Sequence, residues 1–277
     1  MPRPPADLRD TVARALAEDV GRGDVTAALV PEDDDASAVV TSREHAVLAG
    51  GPWFDEVFLQ VSDGAAQVNW TARDGDVVRP NQMLCTVDGR ARHLLTAERT
   101  ALNFLQTLSG TATITRHYVK RVQGTAACIL DTRKTVPGLR TAQKYAVACG
   151  GGTNHRMGLY DAVLIKENHI AAAGSITAAV ADARRKLSNQ TVEVEVEDLA
   201  QLREALASDV DRILLDNFTV EDLARAVAIT GGRVPLEASG NVNLKTVADV
   251  AASGVDFISV GGITKHIHAV DLSMRFV

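Results

Sequence analysis

Residues 131 to 169, DTRKTVPGLRTAQKYAVACGGGTNHRMGLYDAVLIKENH, gather side chains suited to holding a polyanion. They include six Lys/Arg (Arg133, Lys134, Arg140, Lys144, Arg156, Lys166) against three Asp/Glu (Asp131, Asp161, Glu167), in a chain of formal net charge −6. A local excess of positive charge on an acidic protein points to a small polyanionic ligand in a focused pocket. Nucleic acid is not expected as a partner, because it asks for a wider basic face and a basic overall balance. Pro137-Gly138 and Gly150-Gly151-Gly152 interrupt the run, and such residues let backbone turn sharply and approach a ligand. The competing reading is a solvated, salt-bridged helix beside a flexible loop. It fits any one of these residues but not the set.

Carboxylates accompany the cations. Apolar segments later in the chain end in polar residues: Lys166 and Glu167; Glu195 and Glu197; Asp216 and Asn217; Glu237 and Ser239; Ser259 and Gly261. In TVEVEVED, strand alternation puts Val192, Val194 and Val196 on one face and Glu193, Glu195 and Glu197 on the other. If the valines meet helices, the glutamates face the interior of a sheet structure. Buried carboxylates are costly alone, so they should meet Lys/Arg or a metal. A carboxylate such as Asp216 at a strand end facing a polyphosphate holds Mg²⁺ or ribose hydroxyls. Ser239-Gly240 and Gly261-Gly262 follow the last two strands, where barrels bind phosphate through backbone N–H groups. No Ser/His/Asp order and no metal-type His spacing occurs, so covalent hydrolysis and zinc chemistry are not expected.

The elements that must position these residues follow from periodicity. After Gly124, apolar runs recur every twenty to thirty residues: AACILDTRK, DAVLIKENH, TVEVEVED, DRILLDN, RVPLEASG and DFISVGG. Between them lie helical patterns, QKYAVACG, ITAAVADARRKL, LAQLREALAS, VEDLARAVAIT and LKTVADVAASG. Regular β-α alternation means parallel strands with crossover helices. Functional side chains at the end of every strand, rather than near one switch point, favour an incomplete six-stranded α/β barrel over an open doubly wound sheet. Upstream, residues 7 to 19 predict a short amphipathic helix, and GRGDVT predicts a turn rather than a phosphate loop. Residues 36 to 88 read as short strands, with Asp74-Gly75 and Asp88-Gly89 as turns and PWFDEVFLQV as a helix. A long helix is predicted from Leu94 to Gln123, with a break at Ser109-Gly110. Its buried stripe runs through Leu94, Leu95, Ala101, Leu102, Leu105 and Leu108, and Arg99 lies off it, a surface residue paired with Glu98 or with nothing.

Hydrophobic residues make up 46% and charged residues 23% of the 277, a soluble globular balance with room for two domains. Cys85, Cys128 and Cys149 stand far apart without C-x-x-C spacing and are expected as buried free thiols in a reducing cytoplasm. The start, MPRPPADLRD, has no apolar core and does not read as a signal peptide. No stretch approaches the roughly 18 apolar residues of a membrane span, so no membrane partner is expected.

The motifs ERTALNFLQTLSGTAT, DTRKTVPGLR, QKYAV-x-x-GGG-x-NHR-x-GL, LIKENH, VEVEVE, LDN, EASGNV and GVDFISVGGITKH resemble those of the carboxylating nicotinate-nucleotide pyrophosphorylases, the quinolinate phosphoribosyltransferase family of type II phosphoribosyltransferases. The resemblance runs nearly the whole length, through DLSMRF. It implies an N-terminal α/β sandwich domain with the long linking helix over 1–110, a barrel over 111–265, and a tail, 266–277, returning to the N-terminal domain. It implies transfer of phosphoribosyl from phosphoribosyl pyrophosphate to quinolinate with decarboxylation, in de novo NAD biosynthesis, using Mg²⁺ in a cytoplasmic homodimer. By the same resemblance, quinolinate meets Arg133, His155, Arg156 and Lys166, with Arg99 donated by the neighbouring subunit. Phosphoribosyl pyrophosphate meets Lys134, Glu195, Asp216, Ser239, Gly240, Gly261, Gly262 and His266, with Lys265 nearby. Lys134, Lys166, Glu195 and Asp216 are implied as catalytic, and Glu195 and Asp216 as the metal ligands. SGNV and GGITKH depart from the family's usual SGG and GALTHS, so backbone contacts to phosphate are expected there rather than side-chain ones. A nicotinate phosphoribosyltransferase would share the barrel but need fewer cations. A non-catalytic, transport-associated homologue would lack the carboxylates or the Arg pair.

Overall fold

The computed structural model describes residues 2–277. In chain order, α1 (Leu8–Val20) precedes β1 (Asp35–Ser42), β2 (Ala46–Val47), α2 (Gly51–Ser62), β3 (Gln67–Trp70), β4 (Val77–Val78), β5 (Met83–Arg90) and α3 (Ala91–Arg121). Next come β6 (Cys128–Leu130), α4 (Arg140–Gly150), β7 (Val163–Ile165), α5 (Glu167–Ala173), α6 (Ile176–Lys186), β8 (Val192–Val196) and α7 (Leu199–Leu206). The chain ends with β9 (Arg212–Asp216), α8 (Val220–Thr230), β10 (Leu236–Ser239), α9 (Val247–Ala252), β11 (Phe257–Ser259), α10 (Gly262–Lys265) and β12 (Leu272–Phe276). Two compact units divide these elements. The first runs to Arg116 and takes in Thr135–Gly151 and Ile263–Val277; the second comprises His117–Lys134 and Gly152–Gly262.

In the first unit an antiparallel sheet of order β12-β1-β5-β3 packs its apolar face on helices. Trp53, Phe54 and Phe58 of α2 and Leu94, Leu102, Leu105 and Leu108 of α3 are buried in that core. The C-terminal strand is registered on β1 through Val40 and Met274. The expected break in α3 does not occur. Ser109 Oγ exchanges hydrogen bonds with the backbone of Ala49, and a Cβ at Gly110 would lie 2.1 Å from the His268 carbonyl, so both residues serve close packing within one helix. Asp88 and Gly89 are likewise no turn but part of β5, where Asp88 accepts from Ser37 and Asn69. Asp74 does sit at a turn, and there it is buried, accepting from the Gly50 and Gly51 N–H groups and from Tyr145 Oη.

The second unit is a six-stranded parallel sheet of order β6-β11-β10-β9-β8-β7, with each expected strand present and β6 and β7 as its edges. The strand order is that of a barrel left open between its first and second strands. Val192, Val194, Val196, Ile213 and Leu215 are fully buried on one face, the face that branched aliphatics present to crossover helices. Alternation then sets Glu193, Glu195, Arg212, Asp216, Glu237 and Ser239 on the other face, through register pairs such as Glu193 with Arg212 and Ser239 with Asp216. Periodicity does not show α5, because KENH directly follows an apolar strand; Lys166 is its N-cap, and the Lys166 carbonyl accepts from the His169 N–H at 2.8 Å. Of the thiols, Cys85 and Cys149 are buried, but Cys128 opens β6 and is exposed, against expectation. Among the described residues, no helix is long and apolar enough to cross a membrane.

Candidate active site

The basic run of residues 131 to 169 is divided between the two units. Arg140 and Lys144 lie on α4, in the first unit, and Lys144 has no exposed surface. Arg140 Nε donates to Thr135 Oγ1. Two of the glycines nearby serve local structure. A Cβ at Gly150 would meet Ala112 O at 2.5 Å and Thr115 Cβ at 2.6 Å, and Gly151, at φ +90°, ends the helix. Arg99, Lys265 and His266 are exposed residues of the first unit. Among the described residues, Arg99 makes no ion pair, with Glu98 or otherwise.

The second unit carries the rest. Arg133 and Lys134 follow β6, where the Lys134 N–H donates to Thr132 Oγ1 at 3.0 Å. Residues 153–156 run alongside. The Thr153 N–H donates to Ile129 O at 2.8 Å, the Asp131 N–H donates back to Thr153 O at 3.2 Å, and Asp131 Oδ1 accepts from the His155 N–H at 2.9 Å. Arg156 Nη1 donates to Ala162 O at 3.2 Å, just before β7. Thus one short segment is bonded to β6 on one side and to the start of β7 on the other, the two edges that the sheet leaves unpaired. Burial, and then the charge of Arg133, lower the Arg156 guanidinium from its ordinary value. Two guanidinium groups that close repel, and an anion between them relieves the repulsion.

At the carboxyl ends of the strands, Lys166 Nζ bonds Glu195 Oε2, the lysine side chain 42% exposed and the glutamate 11%. On the adjacent strand Asp216 accepts from Asn217 Nδ2 at 2.7 Å. The turns after β9 and β10 lock together: the Asn217 N–H donates to Ser239 O, and Gly240 adopts φ +100°. A Cβ on Gly240 would lie 2.2 Å from Asn217 Oδ1 and 2.9 Å from its backbone N, so only glycine fits. Gly261 lies under the Lys134 side chain, whose Cδ would be 2.8 Å from an added Cβ. Glu195 and Asp216 offer only oxygen donors at neighbouring strand ends, a set that suits a hard divalent cation.

Below this rim is a buried cluster that strand-end reasoning placed at the mouth or overlooked. His155 Nε2 donates to Glu193 Oε2 at 3.0 Å and lies 3.4 Å from Glu237 Oε2. Arg212 Nη1 donates to the same Glu237 oxygen at 3.1 Å and stacks 4.2 Å over the Phe257 ring. Glu193 is 4% exposed and Glu237 not at all. Burial pulls the imidazole down, but the two carboxylates outweigh it and push His155 up to about 9. Burial raises Glu193, whereas Glu237 is held low against burial by the His155 hydrogen bond and charge. The Arg156 N–H meets Nδ1 at 2.7 Å, which opposes a second ring proton there. With Nδ1 accepting there, Nε2 is the ring nitrogen that donates to the two carboxylates. His155, Glu193 and Glu237 are also metal-ligand types within 4.8 Å of one another, though Arg212 already supplies positive charge to Glu237. Register reading could have found Arg212, which pairs with Glu193 across β8 and β9.

Residues 24–109 match the model of the quinolinate phosphoribosyl transferase N-terminal domain, and residues 111–275 that of its C-terminal domain. The chain is similar to the nicotinate-nucleotide pyrophosphorylase of Francisella tularensis, at 47% identity and TM-score 0.94, covering 99% of this chain and 98% of that one. It is 44% identical to the carboxylating nicotinate-nucleotide pyrophosphorylase of Mycobacterium leprae, covering 96% of each. It is 41% identical to the chloroplastic one of Arabidopsis thaliana, over 98% of this chain and 83% of that protein. With both domain models matched in order, and relatives of this identity along nearly the whole length, the chain belongs to the quinolinate phosphoribosyltransferase family.

Proposed function

We propose that the protein transfers phosphoribosyl from phosphoribosyl pyrophosphate to quinolinate with loss of CO₂, giving nicotinate mononucleotide and pyrophosphate. The observation that carries this reading is the gathering of cations at the carboxyl ends of parallel strands: Arg133 after β6, Arg156 on the segment bonded along β6, and Lys166 paired with Glu195 after β7. Quinolinate bears two adjacent ring carboxylates, and planar guanidinium groups recognise carboxylates in a bidentate way that ammonium groups cannot. The names of the relatives, carboxylating nicotinate-nucleotide pyrophosphorylases, support it.

In this reading Arg133, Arg156 and Lys166 orient quinolinate, and Arg99 of a second subunit completes the site in a homodimer. Lys134 and the glycine turns at Gly240 and Gly261 take the phosphates. The pyridine nitrogen attacks the anomeric carbon as the bond to pyrophosphate breaks, with the electron pair leaving on oxygen. Glu195 and Asp216 stabilise the oxocarbenium character that develops, and Lys134 the departing charge. Mg²⁺ held at Glu195 and Asp216 would neutralise the leaving pyrophosphate further. The C2 carboxyl group then departs as CO₂, its electron pair remaining on C2 beside the positive ring nitrogen until a proton arrives. Free thiols at all three cysteines support a reducing, cytoplasmic setting.

Turnover with quinolinate and with nicotinate tests the reading. Quinolinate should be consumed and nicotinate should not, because one carboxylate leaves the second guanidinium unpaired. Preference for nicotinate would replace the reading with that of a nicotinate phosphoribosyltransferase. Glu195→Gln and Asp216→Asn should fold normally yet need about tenfold more Mg²⁺ or phosphoribosyl pyrophosphate, since each removes an anionic oxygen without changing volume. Titrations of rate against each that superimpose on wild type would remove both carboxylates from that role.

A further inference from the structure

Two buried glutamates are an expensive way to fill a barrel interior. Branched aliphatics would fill the same layer without desolvation, and Oε1 of Glu193 and of Glu237 has no hydrogen-bond partner among the described residues. What the other oxygens do is specific. Both Oε2 atoms converge on one ring nitrogen of His155, and Arg212, braced on Phe257, fixes the deeper carboxylate. Since β8 and β10 flank β9 in the sheet, His155 is held from two separate strands. Its backbone N–H is held by Asp131, its Nδ1 faces the Arg156 N–H, and the Arg156 side chain reaches Ala162. The ring nitrogens of His155 are therefore engaged by protein, and the ring acts as a strut across the open side of the barrel.

We propose that Glu193, Glu237 and Arg212 are positioning residues that act through His155 to fix residues 153–156, and so hold the Arg156 guanidinium beside Arg133 for a ligand with two adjacent carboxylates. The inference rests on the function proposed above and gives His155 the task of a brace for this segment. Two like charges do not stay adjacent unless their backbone is held. Preorganising them moves that cost from ligand binding to folding.

Glu237→Gln keeps volume and one acceptor but removes the charge that meets both His155 and Arg212. It should raise the KM for quinolinate about tenfold or more while changing the KM for phosphoribosyl pyrophosphate less than about twofold. Glu193→Gln should do the same and is the second variant should Glu237→Gln fail to fold. Because the effect runs through His155, adding either change to His155→Gln should alter quinolinate KM by less than about threefold. Strictly additive effects in this cycle, or equal rises in both KM values with lowered melting temperature, would overturn the inference and leave the clusters as core. Failure of the wild-type enzyme to turn over quinolinate would sink the proposed function itself, and this inference with it. Normal wild-type turnover with unaltered quinolinate KM in both variants would sink the inference alone.

Discussion

Arg99→Ala and Arg133→Ala homodimers are each expected to be nearly inactive, and their mixture to regain about a quarter of wild-type sites after reassortment. The expectation comes from the proposed dimer, in which each site takes Arg133 from one subunit and Arg99 from the other. In a mixed dimer the two-fold interface places both lesions in one site and leaves the other with both arginines. Half of randomly reassorted dimers are mixed, and half of their sites are intact. Arg99 is exposed on α3 and makes no ion pair among the described residues, which suits a residue whose partner is a ligand. The experiment is to dissociate the two variants together, reassemble them and assay. Verified mixed dimers without recovered activity would place Arg99 in its own subunit's site, or in none.

Arg156→Lys should lose about 2–4 kcal/mol in kcat/KM for quinolinate although the charge is retained. Lysine reaches one carboxylate oxygen as a point charge, whereas the guanidinium offers two parallel donors and can keep its bond to Ala162 O at the same time. The burial that lowers Arg156 would act more strongly on an ammonium group, which loses its proton more readily than guanidinium does. Steady-state kinetics at fixed phosphoribosyl pyrophosphate measures the loss. A lysine variant with near wild-type constants would remove Arg156 from the quinolinate site.

The parallel half of the fold was legible because each strand and helix carries its own period. Val192, Val194 and Val196 against Glu193, Glu195 and Glu197 told which face each would take, and the structure buries the valines completely. Alternation does not tell depth. Glu193 and Glu195 share a face, yet one is buried under His155 while the other reaches Lys166 at the rim. Charge counting does not tell depth either. Lys144 is four residues from Arg140 on the same helix, but it lies on the buried face of α4 with no surface exposed to solvent. Sequence alone suggests a break at Gly110 and a ligand approach at Gly150, whereas both pack closely against backbone, because glycine marks proximity without naming the neighbour. The pairing of β12 with β1 joins residues more than two hundred apart in sequence, and no local pattern in DLSMRF encodes it.

The most direct measurement is release of labelled CO₂ from quinolinate carrying the label in its C2 carboxyl group. With phosphoribosyl pyrophosphate and Mg²⁺ present, CO₂ and pyrophosphate should appear in equal amounts, and neither should form when phosphoribosyl pyrophosphate is omitted. Pyrophosphate without labelled CO₂, or no consumption of quinolinate at all, would contradict the account.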